Sequence, residues 1–389
     1  MKKITKIAMI AASALLLTTQ AQAGYALKKK IGNADTKLVV FGFSQLEAGM
    51  GDGYLKGSDA NVKFGADRIR LGWKYISGPV RGKVFLDFNQ DTDDKEEVGL
   101  RRVLKDAFIT YHVDNTLSIK AGLIKTPLGM GFTIPGWNLD VIKRGFDKKL
   151  AFERGTGLML SGRAIGGEEG QKVNGLEMGH ERPWVGFGYD VMIANQTSRS
   201  GAVKVAYADS SAKKKNEGQA NSYIGRVMYD NTQALHLEAA YGIVEQAGGK
   251  GTEDYKALNL GLDSHFEGYN VKLEYYNVKD IRGVAGWDMS TLATTGTYYV
   301  TDTVELAIKD IRGYEDNKGV ESDVSNTYVG VNYYINAFNN KMDRSNRRKR
   351  NQHRVQLNYV LAGGDTDTFK GVGGLFKDDA ILAQYQFKF

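Results

Sequence analysis

The feature that most constrains this chain is a two-residue alternation of apolar and polar side chains. In residues 68–75, Ile, Leu, Trp and Tyr alternate with Arg, Arg, Gly and Lys. Successive side chains of a β-strand point to opposite faces, so this pattern predicts a strand with one apolar and one cationic face. The same alternation recurs in residues 80–89, 117–123, 185–193, 258–263, 329–335, 354–361 and 381–389.

The connectors between these segments alternate between short and long, and this alternation distinguishes a membrane β-barrel from a β-sandwich. Tight joins occur at residues 77–79, 114–115, 230–231, 267–268 and 301–302. Long polar stretches occur near residues 47–62, 90–101, 126–156, 195–221, 245–254, 279–292, 312–325 and 362–378. A β-sandwich would bury the apolar faces and often uses shorter strands. Strands of about ten residues with short turns on one side and long loops on the other are typical of outer-membrane barrels.

We therefore predict an all-β fold, a transmembrane antiparallel β-barrel of about 16 strands with both termini on the short-turn side. Two joins on that side, Gly166–Pro183 and Ala337–His353, are long. They leave the strand count open by two.

The N-terminus predicts export. Residues 1–23 have a basic start, a short apolar stretch and a small-x-small site ending at Ala23, the pattern of a secretory signal peptide. Residues 24–389 then form the barrel domain. The mean hydropathy of −0.37 excludes a helical membrane bundle. The absence of Cys excludes disulfides and thiol chemistry.

Two motifs give a family resemblance. Residues 122–129 read GLIKTPLG and residues 152–162 read FERGTGLMLSG, preceded by LKDAFITY at 104–111. Together they are similar to the phosphate-selective porin (O/P) family, and the closing strand that ends in Phe389 resembles the terminal assembly signal of outer-membrane barrels. The resemblance implies a trimeric 16-stranded channel, an inward-folded third loop and basic lumen residues. Of the family's basic residues, only Lys125 can be matched by its motif.

The polar faces of the predicted strands carry more basic than acidic side chains. The expected anion pathway in the lumen is formed by Arg68, Arg70, Lys74, Arg81, Lys83, Lys120 and Arg163. Further inward basic residues are Arg226, Lys272, Lys309, Arg354 and Lys388. The inward acidic residues are Asp87, Asp106, Asp190, Glu238, Asp263, Glu274 and Glu305. Rings of Arg and Lys favour anions.

The third long loop, residues 125–156 and called loop 3 below, adds to this surplus. Its basic residues are Lys125, Lys143, Arg144, Lys148, Lys149 and Arg154, and its acidic residues are Asp140, Asp147 and Glu153. Wall charges are screened beyond about 8 Å at physiological salt. Selectivity therefore requires loop 3 to fold inward and narrow the pore.

Each of these features has a plainer interpretation. The inward cations could be paired across strands with Asp87 or Asp106, and loop 3 could point outward as ordinary surface. The basic segment 344–354 resembles a nucleic-acid patch, but a solvated periplasmic turn is favoured in an exported barrel, and no nucleic-acid partner is expected. The Asp-rich stretches at 91–94 and 365–367 do not match a Ca²⁺ loop, and no metal site is expected.

The function that follows is passive diffusion of small hydrophilic solutes across the outer membrane of a Gram-negative cell, with a preference for anions, phosphate or other oxyanions among them. A non-selective general porin is the alternative. An outer-membrane barrel enzyme or a secreted all-β adhesin is a second alternative, although no H-E-x-x-H, G-x-S-x-G or Walker motif occurs. The sequence predicts no enzyme activity and no cofactor. The expected partners are the lipid bilayer, lipopolysaccharide, two further copies of the chain in a homotrimer, small anions as permeants and, through Phe389, the barrel-assembly machinery.

Overall fold

A computed structural model describes most of the chain. The described residues are 25–31, 34–51, 62–89, 103–167, 177–178, 180–181, 185–195, 221–231, 234–246, 253–266, 268–335, 352–371 and 373–389. The predicted signal peptide, the Asp-rich stretch at 91–94 and most of the basic segment 344–354 lie outside these residues. No helix within them is long and apolar enough to cross a membrane.

Nineteen strands are present in these parts of the chain. They are β1 Tyr25–Ile31, β2 Ala34–Gly51, β3 Lys63–Ser77, β4 Val80–Asp87, β5 Leu104–His112, β6 Ser118–Lys125, β7 Arg154–Ile165, β8 Glu177–Met178, β9 His180–Glu181, β10 Val185–Asn195, β11 Asn221–Asn231, β12 Leu235–Val244, β13 Tyr255–Phe266, β14 Tyr269–Lys279, β15 Trp287–Tyr299, β16 Val304–Asn317, β17 Val320–Tyr334, β18 His353–Gly364 and β19 Ala380–Lys388. One helical turn, α1 Met130–Thr133, and short 3-10 turns at Gly136–Asn138, Asp147–Leu150 and Ile281–Gly283 complete the described elements.

Sixteen of these strands, β2 to β7 and β10 to β19, form one closed antiparallel barrel. Each pairs with its neighbour along the chain, β7 pairs with β10, and β19 pairs with β2 to close the sheet. The predicted strand count and fold class are thereby confirmed. Strand β1 pairs with residues 34–40 of β2, next to residues 43–51 that pair with β19. Strands β8 and β9 form a separate hairpin within the long join between β7 and β10.

The prediction is wrong for one long loop, and a second, near residues 279–292, is shorter than expected because β15 begins at Trp287. Residues 312–325 were expected to form a long connector, but β16 and β17 continue through this region and are joined at Lys318-Gly319. Both turn residues have positive φ, as tight hairpin turns require. The outward face here carries Arg312 and Ser325, which pair within the β16–β17 ladder. The polar composition therefore belongs to the ends of two long strands and not to an irregular loop.

The outer face of the barrel is apolar. Ile109, Val191, Val227 and Leu357 are each more than half exposed, while the residues beside them in sequence face inward. Leaving so much apolar surface in water is unfavourable by about 25 cal/mol per Å². This is the outer face that a hydrocarbon environment requires.

Loop 3 fills part of the interior. Its apolar residues Leu128, Phe146 and Leu150 are fully buried against side chains of the barrel wall, including Ile311 and Ala257. The expectation that loop 3 folds inward is confirmed by this packing. The barrel therefore has an internal partition.

Candidate functional site: a basic passage beside loop 3

Loop 3 is attached through its backbone to one side of the barrel, the inward faces of β13 to β19, called the anchoring wall below. Arg354 donates a hydrogen bond to the carbonyl oxygen of Leu139 at 2.8 Å, and Asn332 donates to that of Asp140 at 2.9 Å. The amide of Ile142 donates to Asn358 at 2.7 Å. Further bonds of this kind run from Tyr255 to Leu150, from Gln386 to Trp137 and, from β2, Gln45 to Gly136. So many bonds to its backbone hold loop 3 in one position.

The acidic side chains of loop 3 are neutralised. Asp140 pairs with Lys272 on β14, and Asp147 lies 3.4 Å from the ammonium of Lys309 on β16. Lys309 also donates to the carbonyl oxygen of Arg144. Glu153 pairs with Lys148 within the loop itself. The carboxylates of loop 3 therefore contribute little net negative charge to the opposite side of the lumen.

That opposite side, the inward faces of β2 to β7, is called the basic wall. Arg70 pairs with Asp87 at 2.9 Å, and Lys83 pairs with Asp106 at 2.6 Å. Asp106 also accepts from Arg154 at 3.0 Å. The interpretation that the inward cations are paired across strands is thus confirmed for these residues. The charge of the wall therefore depends on the number of cations in excess of carboxylates.

The balance is positive where loop 3 meets the basic wall. The basic residues here are Arg68, Arg70, Lys83, Lys120, Lys125, Lys143, Arg144 and Arg154, and the carboxylates in contact with them are Glu47, Asp67, Asp87 and Asp106. Eight cations against four anions leave a surplus of four. Lys120, Lys125 and Arg144 have no carboxylate within 4 Å among the described residues.

Arg144 and Lys143 extend from the same turn of loop 3 and differ in role. Arg144 donates to the carbonyl oxygens of Gly131 and Ile134 and so braces the loop. Burial and the nearby guanidinium groups of Arg68 and Arg70 lower the pKa of Arg144 to about 9, so it stays charged at neutral pH.

Lys143 instead pairs with Glu47 at 2.7 Å and Asp67 at 2.9 Å and fastens loop 3 to β2 and β3. Because two carboxylates already contact Lys143, its ammonium charge is largely neutralised. Its role is to hold loop 3 against β2 and β3.

Two other predicted site residues lie away from this meeting point. Arg81 is exposed at the turn-side end of β4. Lys149 points toward the last long loop, where its Cε atom lies 3.4 Å from the position a Cβ of Gly374 would take.

Arg163 and Lys74 lie on the basic wall itself. Arg163 bonds the carboxylate of Asp190 at 3.0 Å through one guanidinium nitrogen. The ammonium of Lys74 lies 4.8 Å from the ring of Phe41.

Sequence reasoning missed an aromatic component of the basic wall. Phe41, Phe43, Phe85 and Phe108 share the inward faces of β2, β4 and β5 with the cations. In β2, Phe41 and Phe43 stand on the same parity as Gln45 and Glu47, so the alternation does not show from the sequence which face of this strand is inward. Two phenylalanines in line with polar residues are the signal that could have indicated the aromatic component.

The described residues contain no cluster of three or more His, Asp or Glu side chains arranged to hold a metal ion. His236 lies buried between Asp230 and Glu238 at 2.7 and 3.0 Å. Its ring nitrogens are both used by these two carboxylates.

The architecture matches solved outer-membrane structures. The channel DcaP of Acinetobacter baumannii has a TM-score of 0.59 at 12% identity, covering 95% of this chain and 100% of that one. An anion-selective porin from Comamonas acidovorans has a TM-score of 0.57 at 14% identity, covering 91% and 100%. A trimer form of OmpT, an outer membrane protein of Vibrio cholerae, has a TM-score of 0.55 at 13% identity, covering 91% and 99%. At these identities the likeness shows a shared fold. No family model and no curated protein sequence matches the chain.

Proposed function

We propose that this protein is a passive outer-membrane channel that prefers anions. The observation that carries the proposal is the charge surplus between loop 3 and the basic wall, with the acidic side chains of loop 3 paired away. A fixed loop brings permeant ions within about one screening length of these cations, so their charge is felt in salt solution. The similarity in fold to an anion-selective porin and to an outer-membrane channel supports this proposal.

Oxyanions, phosphate among them, are the proposed preferred permeants. Arg68 and Arg70 are successive inward residues of β3, and Arg68 lies against Gly136 of loop 3, two residues from the carbonyl oxygen of Ile134 that Arg144 bonds. Guanidinium groups bind planar or tetrahedral oxyanions through two parallel hydrogen bonds. Each of these groups already has protein partners, so binding remains weak, which conduction requires.

The test of the oxyanion proposal is block of chloride current by phosphate in a planar bilayer. Discrete conductance steps are expected from the purified protein, and millimolar phosphate should reduce the chloride current. Changing Arg68 and Arg70 to Gln should weaken the block. A phosphate-insensitive chloride current would overturn the oxyanion preference, while the anion preference itself is tested by the reversal potential.

The setting of the channel is proposed on the same grounds. The exposed apolar outer face fits a bilayer, and residues 1–23 fit an export signal. A homotrimer is supported by the trimer form among the similar structures. Phe389 pairs its backbone with Gly42 and places its ring where a side chain at Gly42 would clash, which suits a terminal assembly signal. A heat-modifiable oligomer on a gel tests the assembly.

A further inference from the structure

The aromatic side chains of the basic wall form one continuous cluster with loop 3. The rings of Phe41 and Phe85 stack at 5.3 Å, and Trp137 of loop 3 meets Phe43 edge-on at 5.2 Å and Phe85 at 6.3 Å. Phe108 on β5 is joined to these rings through Lys83, whose ammonium lies 4.8 Å from the ring of Phe85 and 5.9 Å from that of Phe108. A barrel lumen is ordinarily polar, so a group of rings on its wall needs an explanation.

The backbone makes room for these rings. Gly72 lies between them on the inward face of β3, where an added Cβ would lie 2.7 Å from both Phe41 and Phe85. Phe43 and Phe85 are almost fully buried and form the base of the cluster. Phe41, Phe108 and Trp137 are only partly buried and retain exposed ring surface.

Cations lie over the same rings. The ammonium groups of Lys74 and Lys83 lie 4.8 Å from the centres of Phe41 and Phe85, and that of Lys120 lies 5.1 Å from Phe108. Lys388 approaches Trp137 at 4.9 Å. Lys120 has no carboxylate within 4 Å among the described residues, so its charge is available to a ligand.

A partly exposed ring beside an available ammonium group can bind a solute that has both a carboxylate and a flat apolar face. The carboxylate of the solute pairs with the lysine, and its flat face stacks on the ring. Chloride and phosphate have no such face and gain only from the charge. The cations alone therefore do not account for the rings.

We propose that this aromatic–cationic strip, formed by Phe41, Phe108, Trp137, Lys83 and Lys120, is a weak binding site for organic anions with a ring, of which aryl carboxylates are the class. The proposal rests on the proposed anion channel and names a substrate class for it. The strip lies beside the cations that meet loop 3, because Lys83 shares Asp106 with Arg154. A ring-bearing anion thus has successive weak contacts along the wall.

The test compares benzoate with acetate as blockers of chloride current in planar bilayers. Both carry one carboxylate, and only benzoate has a ring. Benzoate should block at a concentration about fivefold lower than acetate, in line with aromatic pair energies. Benzyl alcohol, with the ring and no charge, should not block at these concentrations.

Phe108→Leu is the diagnostic variant because it keeps an apolar side chain and removes the ring. It should raise the half-blocking concentration of benzoate to within about twofold of that of acetate, by loss of one aromatic contact. Phe387→Leu, whose ring is on the outer face, is the matched control and should change neither value. Phe41→Leu tests the same point should Phe108→Leu assemble poorly.

The failures are distinguishable. Equal block of the wild-type channel by benzoate and acetate overturns the strip and leaves the anion preference intact. Preferential benzoate block that survives both Phe41→Leu and Phe108→Leu also overturns it. A cation-selective channel that is still blocked preferentially by benzoate overturns the anion preference and leaves the strip standing.

Discussion

Removing the two charges of the Arg70–Asp87 pair, first one at a time and then together, tests the electrostatic basis of the proposed anion preference. Arg70→Gln removes one positive charge and leaves Asp87, 2.9 Å away, unneutralised. Asp87→Asn removes the negative charge and keeps a hydrogen-bond acceptor for the guanidinium. The double variant restores the original net charge.

The magnitude follows from distance. An anion passing about 6 Å from the Arg70 guanidinium gains about 0.7 kcal/mol in bulk water and about 3 kcal/mol at an effective dielectric near 20. The Arg70 side chain is partly exposed, so we take a value of about 1 kcal/mol, which is about fivefold in relative anion permeability. Arg70→Gln should lower the permeability ratio of chloride to potassium by about that factor, and Asp87→Asn should raise it comparably.

The assay is the reversal potential of single variants and of the double variant in the same KCl gradient. The double variant should lie within about twofold of the wild type because its net charge is unchanged. Arg312→Gln is the matched control, since Arg312 pairs with Asp310 at 3.0 Å on the outer face of β16. An unchanged ratio in Arg70→Gln, or a lowered ratio in Asp87→Asn, would refute the reasoning.

Three further predictions follow from the site. Burial lowers the pKa of Lys148 to about 7 against the opposing effect of Glu153; since a lysine is charged below its pKa, anion preference should fall as the pH rises from 6 to 8, and Lys148→Met should reduce that pH dependence of the reversal potential. Arg354→Met removes the hydrogen bond that holds Leu139, so single-channel conductance should rise and anion preference should fall, whereas an unaltered conductance would show that loop 3 is held without it. Gly72→Ala should destabilise the barrel by about 1–3 kcal/mol through overpacking, seen as a lower temperature in the heat-modifiability gel, and a temperature equal to wild type would contradict the tight packing at this position.

The barrel itself could be predicted because its signal is local. Alternation in residues 68–75 and the other segments reports which face of each strand is apolar, and connector length reports which end of the barrel it joins. The prediction was wrong at residues 312–325, where β16 and β17 extend beyond the apolar band. There the outward positions, such as Arg312, are polar, and the pattern that reveals a strand disappears.

The arrangement of the site could be predicted only in part, because pairing depends on contacts distant in sequence. The sequence identified Lys143, Arg144 and Lys149 as one basic group, but their positions differ in the structure. Lys143 pairs with Glu47, Arg144 braces loop 3 through its backbone, and Lys149 lies near Gly374. The pairing of Asp140 with Lys272 joins residues of loop 3 and β14 that no local pattern connects. The inward position of Phe41 and Phe43 could not be predicted, because β2 carries phenylalanines and polar residues on the same parity.

The sign of the wild-type reversal potential in a KCl gradient tests the central claim most directly. Because the acidic side chains of loop 3 are paired with lysines and four surplus cations lie where loop 3 meets the basic wall, the reversal potential should have the sign expected for chloride. A potential on the potassium side would contradict the account, since the same surplus of Arg and Lys could not then line the path that ions take.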